Sequence, residues 1–346
     1  MRPKGVWFWL RLAGLVAVAG FFVWLLLSGT PLDDIGAHLA VLPLGSLLLA
    51  LLCLAIGYFF RIVRWWILLR ALDSTLPLAS PVWPFLVSIA LNNVLPFRAG
   101  DAVRIFGFRK RLAAPVSRIF GTVVIERLAD LALLAGVAAL GLWLLGSEQG
   151  LKGLALAVGI ALALGLGGLI LAIALAPWAL RLLARLQQRE GRVGSLAGYG
   201  LSFMETLSVL RRNYRGAQLA GLTLLAWLFE GAVFVTIALG MGIVAPPYAP
   251  WFSLGAGTLG TLIPSTPGHV GTFDYLAATA MEAFAVPAAQ AVAFALAVHA
   301  VLWVPLTAVG LLYLLVKGKQ AVMAPVKAAT EESLAAEESD KSGRMG

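Results

Sequence analysis

Apolar residues run along this chain in long unbroken stretches, and the breaks between them hold most of its charge. Runs longer than about 18 residues predict membrane-crossing helices, whereas a transmembrane β-barrel would show alternating segments of roughly ten. Val6 to Leu27 is the first such run. Its apolar core exceeds the ~7–15 residues of a signal peptide and no small-x-small cleavage site follows, so it predicts a first span with the N-terminus inside. The loop from Ser28 to His38 has Asp33 and Asp34 and no Lys or Arg, which puts it outside. Leu39 to Phe60 returns, and Arg61, Arg64 and Arg70, with Trp65 and Trp66, mark a cytoplasmic interface.

Pro81 to Phe97 breaks this alternation. A crossing there would leave Arg98, Arg104, Arg109, Lys110 and Arg111 outside, against the inward bias of basic residues, with Asn92, Asn93 and Pro96 in a lipid-spanning helix. A re-entrant hairpin that enters and leaves on the cytoplasmic side removes both difficulties. Ile119 to Leu145 then crosses outward, and Gly153 to Ala176 crosses back with Gly159, Ala163 and Gly167 spaced for close helix packing. Pro177 to Arg215 is the longest polar segment and faces the cytoplasm. Its Arg181, Arg185, Arg189 and Arg192 share one helix face, which either rests on anionic headgroups or is ordinary inward-retained charge.

Gly216 to Val244 crosses outward to a turn at Pro246–Pro250. Trp251 to Phe284 then contains Gly260 to Asp274, whose Pro264, Pro267, Gly268, Gly271 and His269 would break a continuous helix. Backbone broken at membrane depth survives only where protein buries it or water reaches it. This stretch therefore predicts a turn between two half-helices lining a cavity, in a second hairpin entering from outside. Pro287 to Val316 finally crosses inward to Lys317 and Lys319. The predicted fold is all-α and polytopic, with about six full spans, both termini cytoplasmic, and two oppositely oriented re-entrant hairpins. Such a pair is the pattern of an inverted repeat around a midplane site. Eight full crossings would also place both termini inside. Residues 1–319 form the membrane domain, and 320–346, rich in Ala, Glu, Ser and Lys, a disordered cytoplasmic tail.

Composition excludes a soluble domain: 60% of residues are hydrophobic and 12% charged, against about 45–50% and about 25% in globular proteins. The net charge of +9 follows from basic residues kept on the cytoplasmic side, so nucleic acid is not an expected partner. The single cysteine, Cys53, rules out an internal disulfide framework and a cysteine-ligated metal cluster.

Candidate chemistry lies in the charges inside the apolar runs. Glu126, Arg127 and Asp130 stand roughly 10 Å into their span at 1.5 Å per residue, with Glu126 and Asp130 on one helix face and Arg127 within reach of Asp130. Ionisable groups at such depth are paired and mark pathways, so the trio is either a lipid-engaging site or a lock between helices. Arg98 and Arg104 follow a helix break at Asn93, Pro96 and Gly100; Asp101 and Arg104 pair, leaving Arg98 for an anionic headgroup or for interfacial anchoring. Glu230, mid-span, needs a partner from another helix, a proton, or water. His299 is either a proton carrier or a hydrogen-bonded packing residue. Ser265 and His269 lack a G-x-S-x-G elbow, and the chain has no P-loop and no metal-ligand spacing, so neither an enzyme nor a cofactor is expected.

Three motifs in order, Asn93-x-Leu95-Pro96-x-Arg98-x-Gly100-Asp101-x-x-Arg104, Glu126-Arg127-x-x-Asp130 and Pro264-x-x-Pro267-Gly268-x-x-Gly271-x-x-Asp274, resemble the flippase-like family that includes the lysylphosphatidylglycerol synthase transmembrane domain. The likeness runs from the first span to Lys319. The chain departs from the family pattern at Phe97, where glycine is usual, and at Gly268-His269 and Asp274, where Gly-Gly and glutamate are frequent. The resemblance implies movement of a lipid between leaflets, without the soluble aminoacyl-transferase domain that makes lysyl-lipid in fused members. Anionic phospholipids, glycolipids and hopanoid-type lipids are the candidate partners. The expected function is lipid translocation in the cell inner (plasma) membrane, through a cavity between the hairpins, with Arg98, Arg104, Glu126, Arg127, Asp130, Glu230 and Asp274 as substrate contacts. Two other readings stay open: a non-transporting subunit that presents lipid to a separate glycosyl- or acyl-transferase, and a membrane-embedded transferase using Glu126 and Asp130.

Overall fold

A computed structural model describes residues 4–70, 75–95, 99–112, 114–145, 171, 174–188, 191–208, 214–261, 263 and 266–317. Every regular element among them is helical. The first are α1 (Lys4–Leu27), α2 (Leu32–Ala40), α3 (Leu44–Arg70) and α4 (Ala79–Val94). Two single turns, α5 (Ala99–Ala102) and α6 (Arg109–Leu112), flank a π-helical turn at Val103–Gly107, and α7 follows over Val116–Leu145. Residues 174–187 form α8. The rest are α9 (Arg192–Ser208), α10 (Arg215–Gly240), α11 (Ala249–Gly260), α12 (Thr272–Glu282) and α13 (Ala288–Lys317). Pro96, Arg98, Pro264, Ser265, most of the Gly153–Ala176 span, and the tail from 320 lie outside the described residues.

Among the described residues α3, α10 and α13 are each long and apolar enough to cross a membrane. A fourth crossing results if the end of α1 and α2, bent by 80° at their break, act as one broken span. The segment after α1, expected as an outside loop, is thus partly helical. Pro31 stands at its N-cap, Asp33 and Asp34 occupy the first turn, and Ile35 is buried. Carboxylates there complement the positive end of the helix dipole, a reason for helix as good as the reason for exposure. The stripe expected from Arg181 to Arg192 is interrupted: α8 ends at 187, Gly191 takes φ 84° and a new helix starts at Arg192.

The chain divides into two compact units. The first comprises Met1–Arg64, Glu126–Leu175 and Asn213–Pro305. In it α11 packs on α12, α12 on α1, and α11 on α10. α11 and α12 run antiparallel, since Ser253 Oγ donates to the carbonyl of Ala277 at 2.8 Å and Gly260 abuts Thr272 and Leu276. With 12 and 11 residues they reach about 18 Å and about 16 Å, each short of the ~30 Å hydrocarbon core. The expected turn between two half-helices is present at this level.

The second unit comprises Trp65–Ile125, Ala176–Arg212 and Leu306–Gly346. Here α4 packs against α5 and α6. The approach is closest at Gly100, where a Cβ would fall 2.0 Å from the carbonyl oxygen of Ser88. Asn92 clasps the start of the returning arm twice, donating from Nδ2 to Asp101 Oδ1 (2.9 Å) and accepting from Asp101 N (3.1 Å).

Candidate functional site

The charged centre of the first unit is built on α3, α7 and α10. Arg61 and Arg64 lie three apart on α3 and Glu126 and Asp130 four apart on α7, spacings that put each pair on one helix face. Arg64 grips Asp130 with both nitrogens, Nη1 to Oδ1 at 2.6 Å and Nη2 to Oδ2 at 3.0 Å. It also donates to Thr223 Oγ1 (3.0 Å) and approaches Glu126 Oε1 (3.5 Å). Trp227 Nε1 donates to Asp130 Oδ1 at 2.9 Å. Arg61 donates from Nη2 to Glu230 Oε2, stands 3.8 Å from Asp130 Oδ2, and lies over the rings of Trp227 (4.4 Å) and Tyr58 (5.6 Å). Arg64, Glu126 and Asp130 are buried. Bidentate guanidinium–carboxylate geometry is what offsets the cost of taking both charges out of water.

Asp130, expected to pair locally with Arg127, is gripped from another helix by Arg64 of α3. Arg127 is half-buried on α7. Glu230 finds its cross-helix partner in Arg61. Arg61 and Arg64 are the residues that sequence reasoning missed, because basic residues beside Trp65 and Trp66 match an interfacial belt. The signal that could have found them was the carboxylates buried in two other runs, which require cations.

A cleft of about 190 Å³, open on one side, adjoins this centre. Its lining is apolar throughout: Leu133 and Leu134 of α7, Leu224, Trp227 and Leu228 of α10, and Trp251 and Leu254 of α11. Trp227 therefore belongs to both features, its ring lining the cleft and its N–H holding Asp130. A hydrocarbon surface and a charged group share one side chain.

Asp274 takes other partners. Its Oδ2 accepts from the backbone N–H of Gly271 (2.9 Å) and its Oδ1 meets His299 Nδ1 (2.7 Å), while His299 Nε2 meets the carbonyl of Gly268 (3.0 Å). The turn they hold is a short 3₁₀ segment, Pro267–His269, with φ of 75° at Gly268, 59° at His269 and 88° at Gly271. A Cβ on Gly271 would stand 2.7 Å from the carbonyl oxygen of Ala19 on α1, so that position needs glycine twice over.

In the second unit Arg104 lies in the π-helical turn, buried, with its guanidinium carbon 3.6 Å from the Trp65 ring centre and 4.5 Å from that of Phe85. Asn92 holds Asp101, and two aromatic rings flank the guanidinium of Arg104. Asn93 Nδ2 donates to Thr307 Oγ1 at 2.9 Å. The structure thus gathers Glu126, Asp130 and Glu230 into one centre. It gives Asp274, Gly268 and Gly271 a shared role in a turn, and keeps Asn93, Gly100 and Arg104 in the other unit.

Two comparisons place the chain among known proteins. The family model described as the lysylphosphatidylglycerol synthase TM region matches residues 11–310. The protein called glycosyltransferase AglD, from Haloferax volcanii, is 30% identical over 243 residues, which covers 61% of this chain and 39% of that relative's length. With the match extending from the first helix to the last, the chain belongs to the lysylphosphatidylglycerol synthase TM region family.

Proposed function

We propose that this protein moves a polar-headed lipid between the leaflets of a cell membrane without doing covalent chemistry on it. The observation that carries this is Trp227, which joins an apolar cleft to a buried cluster of guanidiniums and carboxylates. A lipid has the same two parts, a chain that gains from leaving water and a headgroup that needs polar partners. Phosphate or carboxylate competes for the forks of Arg61 and Arg64, and sugar hydroxyls or an amine for Glu126, Asp130 and Glu230. The name of the Haloferax volcanii relative supports a glycosylated lipid as cargo. The supporting topology is six spans with both termini cytoplasmic in the inner membrane, α11–α12 re-entrant from outside, and the 79–112 hairpin re-entrant from inside.

Vesicles made with the purified chain and trace fluorescent lipid, either anionic or glycosylated, test the proposal. The chain raises the fraction of label reached by an impermeant quencher above that of empty vesicles. Trp227→Phe, which keeps the ring and loses the N–H, slows the movement, and Trp227→Ala slows it further. The relative's printed name also favours a second reading, a membrane subunit presenting lipid to a separate glycosyl- or acyl-transferase. Vesicles in which no labelled lipid moves until such an enzyme is added would replace the first reading with the second.

A further inference from the structure

We propose that Asp274 and His299 form a proton-binding site that clamps the 266–271 turn, and that loss of its proton releases the clamp. The argument is one of donors and acceptors. The carbonyl oxygen of Gly268 only accepts, so His299 Nε2, 3.0 Å away, carries a hydrogen. At 2.7 Å from Nδ1 stands Asp274 Oδ1, and Asp274 Oδ2 already accepts the N–H of Gly271. The Nδ1–Oδ1 contact therefore needs a second proton. It is held as imidazolium with carboxylate, or as neutral imidazole with carboxylic acid, and both forms carry the same charge. When that proton goes to water, two lone pairs face each other and one of the contacts at Gly268, Asp274 or Gly271 must break.

The surroundings leave this pair as the group that responds. Asp274 is buried and His299 partly so, with the Phe273 ring 5.0 Å from the imidazole. Phe273 packs on Phe234 of α10, whose carboxylate, Glu230, is bound to Arg61. The described side chains of α1, residues 13–27, and all of α11 contain no ionisable group. α12 adds Tyr275, packed on Phe22, and Glu282 in its last turn, and His269 lies in the clamped turn itself. The turn is also poised to move, since His269 within it holds left-handed backbone at φ 59°, a conformation that persists in a non-glycine residue only where the surroundings over-determine it. Through Gly271, packed on the backbone of α1, its release reaches the α1–α12 contact.

The test uses the full chain in lipid nanodiscs and does not depend on lipid movement. With 15N-histidine, the chain's three histidines are assigned through His38→Gln and His269→Gln. His299 should show Nε2 protonated and Nδ1 sharing a proton with Asp274, as imidazolium or as acceptor from the acid. Raising the pH removes that state. Over the same pH interval, backbone exchange of 266–271, referred to α13 and corrected for intrinsic rates, becomes on the order of tenfold faster. In Asp274→Asn the side-chain amide donates to Nδ1 in place of the shared proton, so raising the pH no longer speeds exchange of the turn, whereas in Asp274→Ala the turn exchanges fast at every pH. A His299 signal indifferent to Asp274→Asn, or wild-type turn exchange that does not change with pH, would overturn the proposal; the second needs no variant to fold.

Discussion

Arg64 decides the charged centre, because it touches both carboxylates of α7 and reaches Thr223 of α10. Removing one partner of a buried pair leaves the other charge uncompensated, at about 3–5 kcal/mol. Arg64→Ala should therefore lower the unfolding stability of the purified protein by about that much, and Arg64→Lys by less, since one ammonium can serve Asp130 but not with a two-pronged fork. Adding Asp130→Asn to Arg64→Ala should recover part of the loss, and thermal unfolding of the four proteins in one detergent measures it. Nothing local in the sequence announced this pairing, because the partners lie 66 positions apart. What was legible was the need, a carboxylate inside an apolar run. His269 gives the complementary case. Its φ of 59° is a backbone conformation that glycine adopts without strain, and His269→Gly should keep the turn and stabilise it by about 1–2 kcal/mol, measurable in the same scan.

At the scale of elements, the α11–α12 hairpin depends on two backbones coming close. On Gly257 a Cβ would stand 3.1 Å from Ala277 Cβ, and on Gly260 3.0 Å from the carbonyl of Thr272 and 2.7 Å from Leu276 Cδ1. Gly221 of α10 has nothing within 4 Å of that position. Gly257→Leu or Gly260→Leu should push the arms apart at an overpacking cost of about 1–3 kcal/mol, while Gly221→Leu is tolerated. Proteolysis between α11 and α12 reads the difference. The turn was legible from Pro267, Gly268 and Gly271, since glycine and proline mark a broken helix wherever they fall. Helix α2 was not, because acidic residues mark both an outside loop and the first turn of a helix. Where α8 stops was also hidden: the arginines keep their spacing up to Arg192 although Gly191 has already turned the chain.

For the whole molecule, the arrangement across the membrane follows from charge and length together. Neither arm of the α11–α12 hairpin alone reaches across ~30 Å of hydrocarbon, so the expected path enters with α11 and leaves with α12 on the same face. In the other unit Asn92 and Gly100 fold the 79–112 segment back on itself, with Arg70 before it and Arg109 to Arg111 after it. Basic residues on both flanks belong on the cytoplasmic side, whereas Pro246 to Pro250 and Phe284 to Pro287 carry no Lys or Arg. Single cysteines placed in a Cys53→Ser background should therefore react with an impermeant thiol reagent from outside intact cells at Ala249 and Val286. Those at Arg70 and Arg109 should react only after the cells are opened. Labelling of Ala249 and Val286 from opposite faces would make α11–α12 a full crossing, and a split between Arg70 and Arg109 would do the same for the other hairpin. Either result removes the inverted repeat as the frame for lipid movement. The charged centre on α3, α7 and α10 would survive it, because its ion pairs are fixed by helix packing and not by which face each loop meets.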